Sequence, residues 1–495
     1  MKILSAEQIR KWDEYTILNE PVSSLDLMER AAAKCTAWIE ENFKNKIFKV
    51  FCGKGNNGGD GLAIARQLAI KNIACSVYIL ESEAFGSADF QANLNRLRAF
   101  PVQVHFIQNT CFLPEIVDSD VAIDALFGSG LNRAPEGLPA SLVQHINASG
   151  ATVISVDLPS GMFCDKATTS DFVIKAGYTL TFQALKLCFL FPENEQFFGN
   201  VQILDIGLLP AYLPNVDSIY TLSDLQLIKQ IYKPRKNFAH KGTYGHALII
   251  AGEKGKMGAA VMCTKACLRT GAGLVSSMIP EEQFAIIQTA LPEAMVMAHA
   301  EIETIDWSKY TTIGIGPGIG TQKEGPMLLQ AVLSHFNKPI VIDADGLNIL
   351  SMNQELLNDL PPGSILSPHL KEFERLFGKT ANHPEKINIA RQQAQKLFIY
   401  IIIKGHNSVL VCPDGEVYFN STGNPGMATG GSGDVLTGII TGLLAQNYSS
   451  KEACLMGMFI HGLAADIAVQ DVSQEALIAG DIIEYLGKAF LYIRA

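Results

Sequence analysis

Short apolar runs, almost unbroken and each followed by a helix-like segment or a loop, recur through most of this chain. "KIFKVFC", "CSVYIL", "VQVHFI", "DVAIDALF" and "TVISVDL" lead up to about residue 160, and "FVIKAGYTLTF" and "NVQILDIGL" follow. A strand with one wet face alternates apolar and polar side chains, whereas a strand apolar on both sides needs cover on both. The pattern predicts an α/β fold on a mostly parallel sheet with helices packed against each face.

The alternation breaks once. "GLLPAYLPNVDSIYTLSDL" carries two prolines, polar residues and weak periodicity, and reads as a linker. Beyond it the pattern restarts with "HALIIAG", "GLVSSMI", "TTIGIG", "PIVIDAD", "SILSPH", "IYIIIKG" and "SVLVC". The end of the chain is rich in helical pattern, as in "DVLTGIITGLLAQ" and "ACLMGMFIHGLAADIAVQ". At 495 residues the chain is too long for one ordinary core. Two domains are expected, 1–215 and 222–495, with no internal repeat and no low-complexity tract.

Composition narrows the partners. Hydrophobic residues make up 48% and charged residues 18%, a globular rather than a disordered balance. The net charge of −10 argues against a broad nucleic-acid surface. It leaves phosphate-bearing small molecules open, because local amides and a few cations suffice to bind them. The ten cysteines are scattered, with no C-x-x-C and no cysteine–histidine zinc spacing, so a reduced, cytoplasmic chain is expected. Cys263 and Cys267 read as buried thiols on an apolar helix. The N-terminus "MKILSAEQIRKWDEY" is too polar for a signal peptide. The longest purely apolar run, "LFIYIII", is far short of the ~20 residues of a membrane span, so no membrane contact is expected.

"FCGKGNNGGDG" at 51–61 sets Gly53, Gly55 and Gly58 as G-x-G-x-x-G between a strand and a helix, with the acid Glu81 about twenty residues on. Such glycines let backbone amides approach an anion at the positive end of a helix, whatever molecule carries it. Asp60 fits a plain dinucleotide site poorly: its carboxylate would repel a pyrophosphate unless a cation or hydroxyl stood between, and its other reading is a helix cap. Asn56 and Asn57 add amides that the fingerprint does not need. Two more strand ends are polar, "AIDALFGSGL" (Asp124, Gly128, Ser129, Gly130) and "SVDLPSGM" (Asp157, Ser160). A parallel sheet gathers such loops along one edge. Oxygens from Asn57, Asp124 and Ser160 suit a hard cation, monovalent or alkaline-earth; each alone is more often a turn or cap residue, but together at successive strand ends they favour a site.

"GKGNNGGDGLAIAR", "IDALFGSGLNR", "VDLPSGM" and "TLTFQALKLCFL", in that order over roughly residues 1–215, resemble the epimerase domain of bifunctional NAD(P)H-hydrate repair enzymes. The resemblance implies that Asn56, Asn57, Gly58, Gly59 and Asp60, and the segment Gly128, Ser129, Gly130, Leu131, Asn132, Arg133 and Ala134, contact a damaged nicotinamide nucleotide. It implies that Asp157 contacts the substrate and acts in catalysis, that Asn57, Asp124 and Ser160 hold potassium, and that Lys186 is the family's lysine. "QAL" before Lys186 departs from the small residues and proline often found there. A carboxylate such as Asp157 could shuttle a proton while the ring nitrogen supports a cationic intermediate.

In the second half, "NPGMATGGSGDVLTGIITGLL" at 424–444 places Gly426, Gly430, Gly431 and Gly433 ahead of an apolar helix, with Asp434 in its first turn. Amides there can hold negative charge during phosphoryl transfer, and a neighbouring carboxylate can take the proton of an attacking hydroxyl. No Walker A sequence occurs; "GEKGKMGA" lacks the lysine–hydroxyl pair. "KGHNS" at 404–408 and "SPHLKEFERLF" at 367–377 put polar groups at two more strand ends. A lone histidine such as His369 is more often structural.

These segments, with "HKGTYGHALIIAG", "MGAAVMCTKACLRTGAGLV", "GIGPGIG" and "VIDADGLNIL", resemble the ribokinase-like superfamily, and more closely its ADP/ATP-dependent NAD(P)H-hydrate dehydratases, across roughly 230–490. The resemblance implies that Ala259, Gly318, His369 and Asp434 contact the hydrated nucleotide. Lys404, Gly405, His406, Asn407, Ser408 and Gly433 would contact ADP or ATP. Asp434 would be the general base, and Glu372 a candidate organiser of magnesium. Together the two resemblances imply an N-terminal Rossmann-like three-layer domain and a C-terminal ribokinase-like α/β domain. The expected substrates are hydrated NADH and NADPH (NADHX and NADPHX) with ADP or ATP, and a homo-oligomer is expected because relatives of the superfamily commonly assemble. Three other readings stand beside this one: a small-molecule kinase with a stable product, a non-catalytic N-terminal binding module, and a conventional dehydrogenase.

Overall fold

The computed structural model describes residues 1–82 and 85–495. The chain forms two compact units, one of Lys2–Ser218 with Asn382–Pro384, the other of Met1, Ile219–Ala381 and Glu385–Ala495.

The first unit is built on seven strands: β1 (Phe48–Cys52), β2 (Cys75–Leu80), β3 (Gln103–Ile107), β4 (Val121–Ala125), β5 (Thr152–Val156), β6 (Tyr178–Phe182) and β7 (Asn200–Leu204). They form one parallel sheet in the order β3-β2-β1-β4-β5-β6-β7. Phe48, Val50 and Cys52 of β1 pack with helices Ser24–Asn42 and Asn56–Ile70, while Phe51 points to the other face, toward helix Leu138–Ala148. That two-sided burial is why the strand reads as an unbroken apolar run, and it makes the unit a three-layer sandwich. The strand order reverses between β1 and β4, which opens a crevice at their carboxyl ends.

The second unit holds ten strands: β8 (Tyr220–Ser223), β9 (His246–Ile250), β10 (Leu274–Ile279), β11 (Met295–Ala298), β12 (Thr312–Ile315), β13 (Ile340–Ile342), β14 (Ile365–Leu366), β15 (Tyr400–Ile403), β16 (Val409–Val411) and β17 (Val417–Asn420). Their order is β11-β10-β9-β12-β13-β14-β15-β16-β17-β8. Pairing is parallel from β11 to β15, antiparallel on both sides of β16, and parallel again between β17 and β8. Helix Ser432–Ala445 runs through the core, buried at every residue from Val435 to Ala445. A Cβ at Gly438 would overlap the Cys263 carbonyl oxygen, so helices Met257–Thr270 and Ser432–Ala445 meet backbone to backbone.

Two segments differ from the sequence reading. The stretch read as a linker contains the turn of 3₁₀ helix Pro210–Asn215 and the edge strand β8. "FVIKAGYTLTF" forms a strand only from Tyr178; Val173 and Ile174 are buried in a loop, which gives the run its apolar look. Helix Ser450–Val472 is long and apolar enough to cross a membrane by length and composition, but 72% of that window is buried inside the protein. Its apolarity serves the core, where it packs with helices Ser432–Ala445 and Ala479–Arg494.

Candidate functional site

In the first unit, the turn after β1 folds back on itself. A Cβ at Gly53 would overlap the Leu126 carbonyl oxygen, and one at Gly58 the Gly53 carbonyl oxygen. Gly59 is less tight, with the flexible Met28 Sδ 2.8 Å from where its Cβ would stand. Gly58 and Gly59 are buried and lie behind the wall of the crevice rather than lining it. The fingerprint glycines here let helix Asn56–Ile70 close onto the sheet. Gly55 caps that helix without a side-chain bond, and Asp60 stands a turn inside it, so Asp60 is not a cap. Glu81 is engaged by Lys54 at 2.7 Å.

A cavity of about 690 Å³ opens at the carboxyl edge of this sheet, a size suited to a nucleotide-scale ligand. Asn56, Asn57 and Asp60 line it after β1; Gly128, Ser129, Gly130 and Leu131 after β4; Asp157 after β5; Gln183 and Lys186 after β6. Asn132, Arg133, Ala134, Asp124 and Ser160 are not in its wall. Helix Ala6–Asn19 closes one side with Asp13, a residue the sequence reading passed over.

Lys186 is fully buried, with Nζ 2.7 Å from Asp157 Oδ1 and 2.6 Å from Thr181 Oγ1. Burial pulls its pKa down, but the charge and hydrogen bond of Asp157, together with Cys164 and Cys188, outweigh that effect and hold the ammonium above its usual range. Ser129 N donates to Asp157 Oδ2 at 3.3 Å. Asp157 (φ 67°) and Gln183 (φ 61°) both adopt the left-handed backbone that non-glycine residues rarely take, at two strand ends facing one cavity. Behind them Asp124 is buried and accepts from Ser155 Oγ (2.8 Å), Ser160 N (2.8 Å), Ser160 Oγ (2.5 Å) and Leu126 N (3.3 Å). Burial raises its carboxyl despite the Ser160 bonds. Asn57 Oδ1 and Nδ2 are buried with no hydrogen-bond partner among the described residues.

In the second unit, Gly431 (φ 91°) caps helix Ser432–Ala445 with no side-chain bond, so no side chain of the cap occupies the first amides of that helix. Lys404, at the end of β15, lies 2.6 Å from Asp343 Oδ1 and 3.9 Å from Glu372 Oε2. Thr437 Oγ1 donates to Asp343 Oδ2 at 2.9 Å. Gly433 leaves room for this pair: a Cβ there would be 3.3 Å from Lys404 Nζ and 3.5 Å from Asp343 Oδ2. Asp434 is pushed up to about 6 by burial, then by the charge of Asp343, with Lys404 opposing and Asp345 and Glu372 adding. Those groups therefore converge on one carboxyl.

His369 caps helix Leu370–Phe377; its Nδ1 accepts from Lys371 N at 3.1 Å, and Glu372 Oε2 accepts from His369 N at 2.9 Å. The histidine is thus a structural cap as well as a neighbour of Glu372 and Lys404, and burial and Lys404 lower its pKa. Gly318 packs against Ala259, 3.2 Å between its missing Cβ and the alanine's, and against Lys256, whose Nζ reaches Asp345 Oδ2 at 3.4 Å. Gly405, His406, Asn407 and Ser408 form the β15–β16 turn, closed by Ser408 Oγ donating to Gly405 O at 3.1 Å. Among the described residues no three His, Cys, Asp or Glu side chains assemble a metal cage.

Sequence reasoning passed over Asp343, Asp345, Lys256 and Thr437 as well as Asp13. Asp343 and Asp345 lie inside the quoted "VIDADGLNIL", and the signal was there: two carboxyls directly after a buried strand. Ala344 between them is left-handed (φ 49°), a second mark of a functional turn.

A family profile described as the YjeF-related protein N-terminus matches residues 24–188, and one described as NAD(P)H-hydrate dehydratase matches 247–488. The chain is 32% identical to the bifunctional NAD(P)H-hydrate repair enzyme Nnr of Moorella thermoacetica, over 98% of this chain and 96% of that one. Among solved structures, the ADP/ATP-dependent NAD(P)H-hydrate dehydratase of Bacillus subtilis, co-crystallised with ATP and Mg²⁺, is 28% identical with a TM-score of 0.50, covering 55% of this chain and 98% of that one. A ribokinase-like superfamily protein of Enterococcus faecalis is 26% identical with a TM-score of 0.50, covering 56% and 97%.

Proposed function

The chain belongs to the family of bifunctional NAD(P)H-hydrate repair enzymes, and on that premise we propose how its two sites divide the work. It is an epimerase and an ADP/ATP-dependent dehydratase of hydrated NAD(P)H. The first unit interconverts the R and S hydrates in the cavity beside Asp157 and Lys186. The second unit returns the S hydrate to NADH or NADPH.

In the second unit Asp434 takes the proton of the hydrate's hydroxyl as that oxygen attacks the terminal phosphate of ADP or ATP. Lys404 and the amides from Gly430 to Gly433 hold the charge that builds on the phosphoryl group. Hydroxide is a poor leaving group and phosphate a good one. The C–O bond then breaks with phosphate, the ring nitrogen pushes in its lone pair, and loss of a proton from the adjacent carbon restores the ring double bond. Ala259, Gly318 and His369 form the nucleotide-hydrate side of the site, and Lys404 to Ser408 with Gly433 the ADP or ATP side.

Magnesium fits this site as a companion of the phosphates rather than as the occupant of a protein cage, and Glu372, buried beside Lys404, would help to orient it. Potassium fits the first unit through Asn57, whose buried oxygen has no other partner among the described residues. Asp124 would join it once the Ser160 hydroxyl turns away, because all four lone-pair positions of Asp124 are taken. Bound there, potassium would supply a positive charge behind the cavity that anchors substrate oxygens.

The observation that carries this reading is Asp434 at the bare N-terminus of helix Ser432–Ala445, with its carboxyl raised to about 6 beside the Lys404–Asp343 pair. A base poised near its working pH is what the proton transfer needs. Mixing the protein with ADP, Mg²⁺ and the S hydrate of NADH should restore the absorbance of reduced nicotinamide with stoichiometric release of phosphate. A stable phosphorylated product without that recovery would make the second unit an ordinary kinase.

A further inference from the structure

Helix Ala6–Asn19 brings to the first cavity a carboxyl that no motif of the sequence singles out. Asp13 lies between two buried anchors of its own helix. Trp12 Nε1 donates to Leu209 O at 2.8 Å, Thr16 Oγ1 accepts from Leu209 N at 3.1 Å, and Tyr212 stacks on Trp12. The segment that reads as a linker thus pins this helix, and with it Asp13, at the cavity wall.

That wall also carries Asp60, Asp157 and Lys186. The other charged groups around it are already paired: Glu7 with Lys11 at 2.8 Å, Arg10 with Glu14 at 3.8 Å, Lys54 with Glu81 at 2.7 Å. Among the protein's own side chains, one buried ammonium therefore serves three carboxyls, and it is committed to Asp157. Like charges crowded in a desolvated site cannot all ionise, so protons remain on the carboxyls left without a cation. Burial, reinforced by the charge of Asp157, pushes Asp13 up to about 7, and the same causes push Asp60 well above the usual carboxylate range.

We propose that Asp13 is the acid and Asp157 the base of the epimerase site, acting from two sides of a hydrated nicotinamide ring held between helix Ala6–Asn19 and the end of β5. The proposal rests on the reading of this cavity as the epimerase site. Inversion requires the C–O bond at the hydroxyl-bearing carbon to break and re-form on the other face. Protonated Asp13 gives its proton to the hydroxyl oxygen, the C–O electron pair leaves with water, and the ring-nitrogen lone pair forms the C=N bond of a cationic intermediate. Water then adds to the opposite face, the C=N pair returns to nitrogen, and Asp157 takes the proton released. One proton has passed from Asp13 to Asp157; the reverse reaction or exchange with solvent resets the pair. Carboxyls in unlike environments are how one site supplies acid and base at the same pH.

The test follows interconversion of purified R and S hydrates by chromatography, without ADP, from about pH 5 to about pH 9. For the wild type, kcat/KM should fall above about pH 7 as Asp13 loses its proton. Asp13→Asn should lose roughly 100-fold or more in rate and lose that falling limb. Asn matches neutral Asp in shape, so the fold should hold. The folded-state value of Asp13 is raised, so its contribution to stability is present at low pH and is lost as pH rises through about 7. Asp13→Asn should accordingly match or exceed the wild-type Tm at about pH 8. An Asp13→Asn protein within about threefold of wild type while Asp157→Asn is inactive would overturn the acid role and leave the site reading intact. Full rates in both variants would overturn the site reading itself. In oxygen-18 water the wild type should place one labelled oxygen in the hydrate for each inversion; inversion without label contradicts the mechanism whatever the variants do.

Discussion

In the proposed mechanism Asp434 acts as a base in a place that disfavours negative charge. Burial and Asp343 raise it to about 6, while Lys404 limits the rise. At neutral pH it is mostly ionised, yet basic enough to accept a proton from an alcohol whose oxygen is attacking phosphate. The dehydratase kcat/KM for the hydrate should therefore fall below about pH 6, where Asp434 becomes protonated. Asp343→Asn removes a negative neighbour and releases Lys404 toward Asp434; both changes favour the charged form. A pH–rate profile should show the acid limb moving to lower pH in that variant, at a reduced maximum rate because Lys404 is no longer held in place. An acid limb that stays where it was, or moves up, would assign the titration to another group.

At the scale of elements, close approach of backbones fixes where these groups stand. Gly438 lets helix Ser432–Ala445 lie against the Cys263 carbonyl of helix Met257–Thr270, and Gly442 against Cys267, so Asp434 at one start and Ala259 at the other stand at the same end of the pair. Gly438→Val should force the helices apart, at a cost of about 1–3 kcal/mol to the second unit. Chemical denaturation would read that loss, together with reduced dehydratase activity and unchanged epimerase activity. The central strands of both sheets were legible because they are apolar on both faces. β8, β11 and β17 were not: each is only four residues long, and β8 and β11 are edge strands that are half-exposed, as in β11. The run at β17 is too short to stand out from the turn before it, although the edge strands β3 and β7 were legible from their apolar runs. The glycine- and polar-rich loops at strand ends announced Asn57, Asp157 and Asp434. Asp13 was illegible for a different reason: in "AEQIRKWDEYTILN" it sits among charges like any surface acid, and only the tertiary anchoring of Trp12 and Thr16 turns it to the cavity. Gly58 and Gly59 show the converse, a ligand-binding pattern that the fold uses for packing.

For the whole molecule, one chain carries two sites in its two compact units, and the product of the first is the substrate of the second. The central claim is that hydrate of either hand leaves this protein as reduced nucleotide, through Asp434. The most direct measurement supplies pure R hydrate with ADP and Mg²⁺ and follows both its inversion and the return of reduced-nicotinamide absorbance, after subtraction of the enzyme-free rates. The wild type should regenerate NADH from R and S alike. Asp434→Asn should keep interconverting R and S while regeneration drops by roughly 100-fold or more. An Asp434→Asn protein that still restores NADH at the wild-type rate would contradict the account.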